Sequence, residues 1–121
     1  MQETPPRDLK DRTYLFARRI IAMYAALPRS TLAQVVGKQA LRSGTSVGAN
    51  YREAFRGRSK AEFVAKMGDC LRELDETEYW LELLVDESII SRKRMIALID
   101  ETRQLMAIFV TIIKNARNKA S

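Results

Sequence analysis

The sequence has no histidine and a single cysteine, Cys70. Without histidine, the usual base of a serine or cysteine relay is missing, and a structural zinc site has no ligand set. A lone cysteine excludes an internal disulfide. Cys70 falls on an apolar helix face, where a thiol behaves as a small hydrophobe. No stretch approaches the ~18 uninterrupted apolar residues of a membrane span. The first residues, Met1 to Arg7, are polar and proline-containing, without the apolar core of a signal peptide. These absences point to a cytoplasmic protein with no membrane segment, metal or cofactor.

What is present fits one folded domain covering residues 1–121, with 1–7 and 118–121 as flexible ends. Apolar residues make up 46% of the chain and charged residues 30%, which places it among folded proteins and not disordered ones. The net charge of +6 is unevenly distributed. Residues 9–60 hold eleven Lys/Arg against two acids, and 91–121 hold seven against two. Residues 61–90 reverse the balance, with two bases against nine acids. Such segregation serves either an anionic partner or attraction between helices or subunits.

Apolar spacing divides the chain into four helices. Pro5-Pro6 stops regular structure, Asp8 offers a cap, and Leu9, Thr13, Phe16, Ile20, Met23 and Leu27 form one stripe before Pro28. Ser30 caps a second helix over 31 to about 55, with an apolar edge at Leu32, Val35 and Val36. The same spacing then turns polar, through Gln39, Ser43, Ser46, Asn50 and Glu53, while Ala40, Val47, Tyr51 and Ala54 supply an adjoining weakly apolar face. Gly44 and Gly48 would let another backbone approach closely, or would break the helix there. Gly57 suits a C-terminal cap. Ser59-Lys60-Ala61-Glu62 is a capping box that starts a third helix. Phe63, Met67, Cys70, Leu74, Thr77, Leu81 and Leu84 follow in strict four-three spacing beneath an acidic outer face. Tyr79 and Trp80 lie off this stripe, at its edge or against a neighbouring subunit. After a turn over 86–91, with Ser91 as cap, the last helix carries Met95, Leu98, Thr102, Leu105, Phe109, Ile112 and Ala116. Ile99, Met106 and Ile113 widen that face. Long helices joined by short connections predict an all-α, antiparallel, up-down-up-down four-helix bundle.

Two groups of residues stand out as functional candidates. Gln39, Ser43, Ser46, Asn50 and Glu53 read as a hydrogen-bonded polar seam that fixes helix register or subunit pairing, since serine and glutamate without histidine lack a relay for acyl transfer. Arg42, Arg52, Arg56, Arg58 and Lys60 read as a phosphate-binding patch, or as partners for the acidic third helix of a neighbour. The acids of the third helix fall mostly outside its apolar seam and do not suggest a metal site.

The run from Gln39 through Ala54, with Arg56-Gly57-Arg58-Ser59-Lys60-Ala61-Glu62-Phe63 and Tyr79-Trp80-Leu81-Glu82-Leu83-Leu84, resembles the small bacterial four-helix-bundle proteins encoded in intervening sequences of 23S ribosomal RNA genes. Many members have glycine directly after the glutamate, where this chain has Ala54 and reaches Gly57 three residues later. The resemblance implies a ring-like homopentamer. It also implies kinship with the accessory protein of diversity-generating retroelements, a basic pentamer that binds nucleic acid and a reverse transcriptase. The resulting expectation is a non-enzymatic homo-oligomer that binds RNA, DNA or a ribonucleoprotein. A protein-binding scaffold is the alternative.

Overall fold

Serine side chains start three of the four helices. The computed structural model describes residues 5–56 and 59–119. Its elements are α1 (Pro5–Ala25), α2 (Thr31–Ala54), α3 (Lys60–Asp86) and α4 (Arg92–Asn118). Ser30 Oγ accepts from the Ala33 N–H at 3.2 Å, Ser59 Oγ from Glu62 at 3.1 Å and Ser91 Oγ from Arg94 at 3.3 Å. Each cap satisfies a first-turn donor that has no partner within the helix, a contribution of ~1 kcal/mol.

α1 departs from expectation by beginning at Pro5, so Asp8 lies inside the helix and is not its cap. A first-turn proline lacks only an N–H that helix geometry leaves unpaired in any case. Residues 5–7 and Asn118, expected in loose ends, are therefore helical. Gly57, expected to cap α2, lies outside the described residues. At the end of α3, the Ile89 N–H donates to Leu84 O at 2.9 Å and the Ser88 N–H to Val85 O at 2.9 Å. This pairing is a Schellman closure, with Ser88 at φ 61° in the position glycine normally takes.

Neighbouring helices run antiparallel. Thr13 lies against Gly48 while Leu27 lies against Gly37, and Ser43 meets Thr77 while Asn50 meets Lys66. α2 packs along α1 and α3, and α3 along α4, whereas α1 and α4 meet sparingly. The stripes expected for α1, α3 and α4 supply most of the core. Leu9, Phe16, Ile20, Met67, Leu74, Leu81, Leu84, Leu105 and Phe109 are buried, with Cys70, Thr77 and Thr102 among them.

α2 is one unbroken helix that buries the adjoining weakly apolar face, with Val36, and not the Leu32/Val35 edge or most of the polar stripe. Ala33, Val36, Ala40, Ser43, Val47, Tyr51 and Ala54 face the core, and Leu32 and Val35 face outward. Glycine sets this phase. A Cβ on Gly44 would lie 2.7 Å from Ile20 Cγ1, and one on Gly37 2.3 Å from Leu27 Cδ1. α1 therefore comes closest along α2's smallest residues. Tyr51 fills the wider end and stacks edge-on to Phe109 at 5.9 Å.

Candidate nucleic-acid interface

Most acids of α3 are occupied within the chain. Glu73 and Glu76 pair with Arg42 across the α2/α3 seam. Asp69 pairs with Arg72 and lies 3.9 Å from Lys66. On the other flank Glu78 and Glu82 meet Arg103, and Glu82 meets Arg92 at 2.9 Å. The Glu76 hydrogen bond holds the Arg42 guanidinium above its ordinary pKa. Solvent screens such exposed pairs, which contribute little to stability. Their larger effect is to offset much of the negative charge on α3's outer surface.

The cations of the α1/α2 face are arranged differently. Lys10, Tyr14, Arg18 and Ile21 recur at steps of four, four and three along α1, and Lys38, Thr45, Ala49 and Arg52 recur at compatible steps along α2, with Arg56 in the turn that follows it. The close α1/α2 packing places these rows side by side. Lys10, Arg18, Lys38, Arg52 and Arg56 are all exposed. Among the described residues none of the five is in an ion pair. Arg52 lies over the Tyr14 ring, 6.0 Å from its centroid, a weak cation–π contact that holds the charge at the surface.

The five residues singled out in the sequence are therefore not one patch. Arg52, on α2, lies over Tyr14 of α1, and Arg56 follows in the turn after α2. Arg42 lies on the opposite flank, engaged by Glu73 and Glu76. Lys60 starts α3, with Nζ donating to the Lys119 carbonyl at 2.9 Å. Arg58 lies outside the described residues. Lys10, Arg18 and Lys38, which complete the basic face, were missed; their helical phase relative to Tyr14 and Arg52 was the available signal.

The polar seam is also divided. Only Ser43 is buried, and its hydroxyl lies 2.7 Å from that of Thr77. Ser46 donates to Arg42 O and Asn50 to Ser46 O, both within α2. Lys66 Nζ from α3 donates to Glu53 at 2.6 Å and to Asn50 Oδ1 at 3.4 Å. Gln39 is half-buried and Glu53 exposed, so the group is one buried hydroxyl contact plus a lysine clamp at the α2/α3 edge. Burial pushes the Cys70 thiol up to about 12, with Sγ 3.5 Å from Val47 O, an environment that disfavours the thiolate nucleophile. Among the described residues no three Cys, Asp or Glu side chains converge on a point that could hold a metal ion. None of the described helices is long and apolar enough to cross a membrane.

The 23S rRNA-intervening sequence protein model matches residues 8–111. A crystal structure of a protein of unknown function from the S23 ribosomal protein family of Bacteroides thetaiotaomicron is similar in both sequence and fold. It is 39% identical, with a TM-score of 0.86, over 92% of this chain and 99% of that one. No curated protein matches the chain. With its four antiparallel helices and a family match spanning most of its length, the chain belongs to the 23S rRNA-intervening sequence protein family.

Proposed function

We propose that the protein acts without catalysis, as a cytoplasmic homo-oligomeric accessory factor that holds RNA or DNA, free or within a ribonucleoprotein, on the basic α1/α2 face. One observation carries this reading: Lys10, Arg18, Lys38, Arg52 and Arg56 are exposed and outside any ion pair among the described residues, while most of α3's acids are paired within the chain. Exposed lysines and arginines spread over the face suit phosphate contacts, which bind independently of sequence. In a symmetric ring the face recurs on every subunit, and weak contacts add through avidity.

Titration of a labelled single-stranded RNA and a DNA duplex at two salt concentrations tests the proposal. Affinity that falls steeply with salt supports it. Micromolar or weaker affinity with no salt dependence overturns it.

A second reading, a protein-binding scaffold, is favoured by outward-facing apolar side chains on α2 and α3: Leu32 at 50% exposure, Val35 at 58% and Tyr79 at 59%. Exposed apolar groups of this kind favour association. Here Val35→Glu with Tyr79→Glu lowers the assembly mass measured by light scattering and leaves nucleic acid unbound in both forms.

A further inference from the structure

The α1/α4 seam is closed at one end and open at the other. Arg12 clamps it by donating to both carboxylate oxygens of Glu101, at 3.1 and 2.8 Å. Toward the C-terminal end of α1 the helices part around a groove of about 310 Å³. Its walls are small, with Ala22 and Ala26 on α1 and Ala97 on α4, and its floor is Met23, Met95 and Leu98. The volume lies at the lower end of the range of small-molecule sites, and methionine supplies an apolar surface that adapts to the shape of its occupant.

Two arginines line the same groove, Arg19 from α1 and Arg94 from the first turn of α4. Both are exposed, and among the described residues neither is in an ion pair. At the closed end of this seam and along the α2/α3 and α3/α4 seams, by contrast, arginines are matched: Arg12 by Glu101, Arg42 by Glu73 and Glu76, Arg103 by Glu78 and Glu82. Like charges on opposite walls of an apolar groove repel until an anion sits between them. We infer that this groove binds a small amphiphile with a single anionic head, the apolar chain lying along Ala22, Ala26 and the methionines and the head held between Arg19 and Arg94. This site lies on the α4 side of α1, away from Arg52 and Arg56, so it stands or falls independently of nucleic-acid binding.

Calorimetric titration with octanoate, decanoate, decyl phosphate and decanol, each below its micelle concentration, tests the inference. Decanoate is expected to bind in the micromolar range and roughly tenfold tighter than octanoate, since each methylene buried contributes up to about fourfold. The tighter of decanoate and decyl phosphate identifies the head group as carboxylate or phosphate. Arg19→Gln with Arg94→Gln should weaken decanoate by about tenfold or more while RNA binding is retained. Ala22→Leu should weaken it by filling the groove, with helix content by circular dichroism confirming that each variant is folded. Decanol binding as tightly as decanoate, an unchanged affinity in the double arginine variant, or no decanoate binding at millimolar concentration would each overturn the inference.

Discussion

Gly44 and Ile20 are in such close contact that a methyl group on the glycine would lie 2.7 Å from Ile20 Cγ1 and 3.1 Å from its Cδ1. Gly68 is the reverse case, a mid-helix glycine whose Cβ would meet nothing within 4 Å. Gly44→Ala is predicted to destabilise by roughly 1–2 kcal/mol, because overpacking outweighs the gain in helix propensity. Gly68→Ala should stabilise by up to about 1 kcal/mol. Urea unfolding of the two variants reads both signs, and equal shifts would contradict the packing described for α1 against α2.

Ser43 and Thr77 place two hydroxyls 2.7 Å apart in the core. Removing one leaves the other with a lost partner, so Ser43→Ala or Thr77→Val alone should each cost ~1–2 kcal/mol. The double variant should cost less than their sum, since the Ser43–Thr77 contact that each single variant loses is then lost only once. A double-mutant cycle by chemical denaturation measures the coupling, and strict additivity would show that the contact contributes nothing.

Ser88 adopts φ 61° in the turn after α3, a conformation that costs an L-residue roughly 1–2 kcal/mol. Ser88→Gly is therefore expected to raise stability by about 1 kcal/mol, part of the relief being offset by the greater freedom of glycine in the unfolded chain. Thermal unfolding at fixed protein concentration is the appropriate test.

Arg52→Glu with Arg56→Glu should abolish most nucleic-acid binding and flatten its salt dependence. Loss of two phosphate contacts reduces the slope by about 1.8, at ~0.9 per phosphate. Arg42→Glu should have much less effect on binding, because Arg42 already faces Glu73 and Glu76 on the other flank of α2. Equal losses in the two variants, measured by fluorescence anisotropy, would return the patch to the contiguous run suggested by the sequence.

Alkaline pH should destabilise the fold. Burial, and secondarily Asp69, raises the Cys70 thiol from 9.0 to about 12, and burial raises the Tyr51 phenol from 10.0 to about 12. Above the lower values the unfolded chain holds fewer protons than the native one. The stability these groups contribute is thus complete below pH 9.0 and is lost as pH rises toward about 12. Urea midpoints measured between those limits should fall, and less steeply for Cys70→Ala.

α1, α3 and α4 were legible because large side chains repeat at three and four residues on a single face, and most of Leu9 to Leu27, Met67 to Leu84 and Met95 to Phe109 is buried accordingly. α2 was only partly legible, because its contact with α1 is made by small residues. Gly37, Ala40 and Gly44 carry little hydrophobic weight, whereas Leu32 and Val35 carry much and point outward. The basic site was half legible for a related reason. Proximity along the chain grouped Arg42 with Arg52, but helical phase places them on opposite flanks and joins Arg52 to Arg18 and Lys38 of other segments.

The paired acids of α3 and the unpaired cations on α1, α2 and α4 leave the α3 side the least positive part of the molecule. A polyanion approaching from a distance comparable to the Debye length, about 8 Å in physiological salt, would exert a torque on the bundle before any contact forms. The bundle would then arrive with α3 already turned away from the charge, and added salt would slow capture before it loosened the complex once formed.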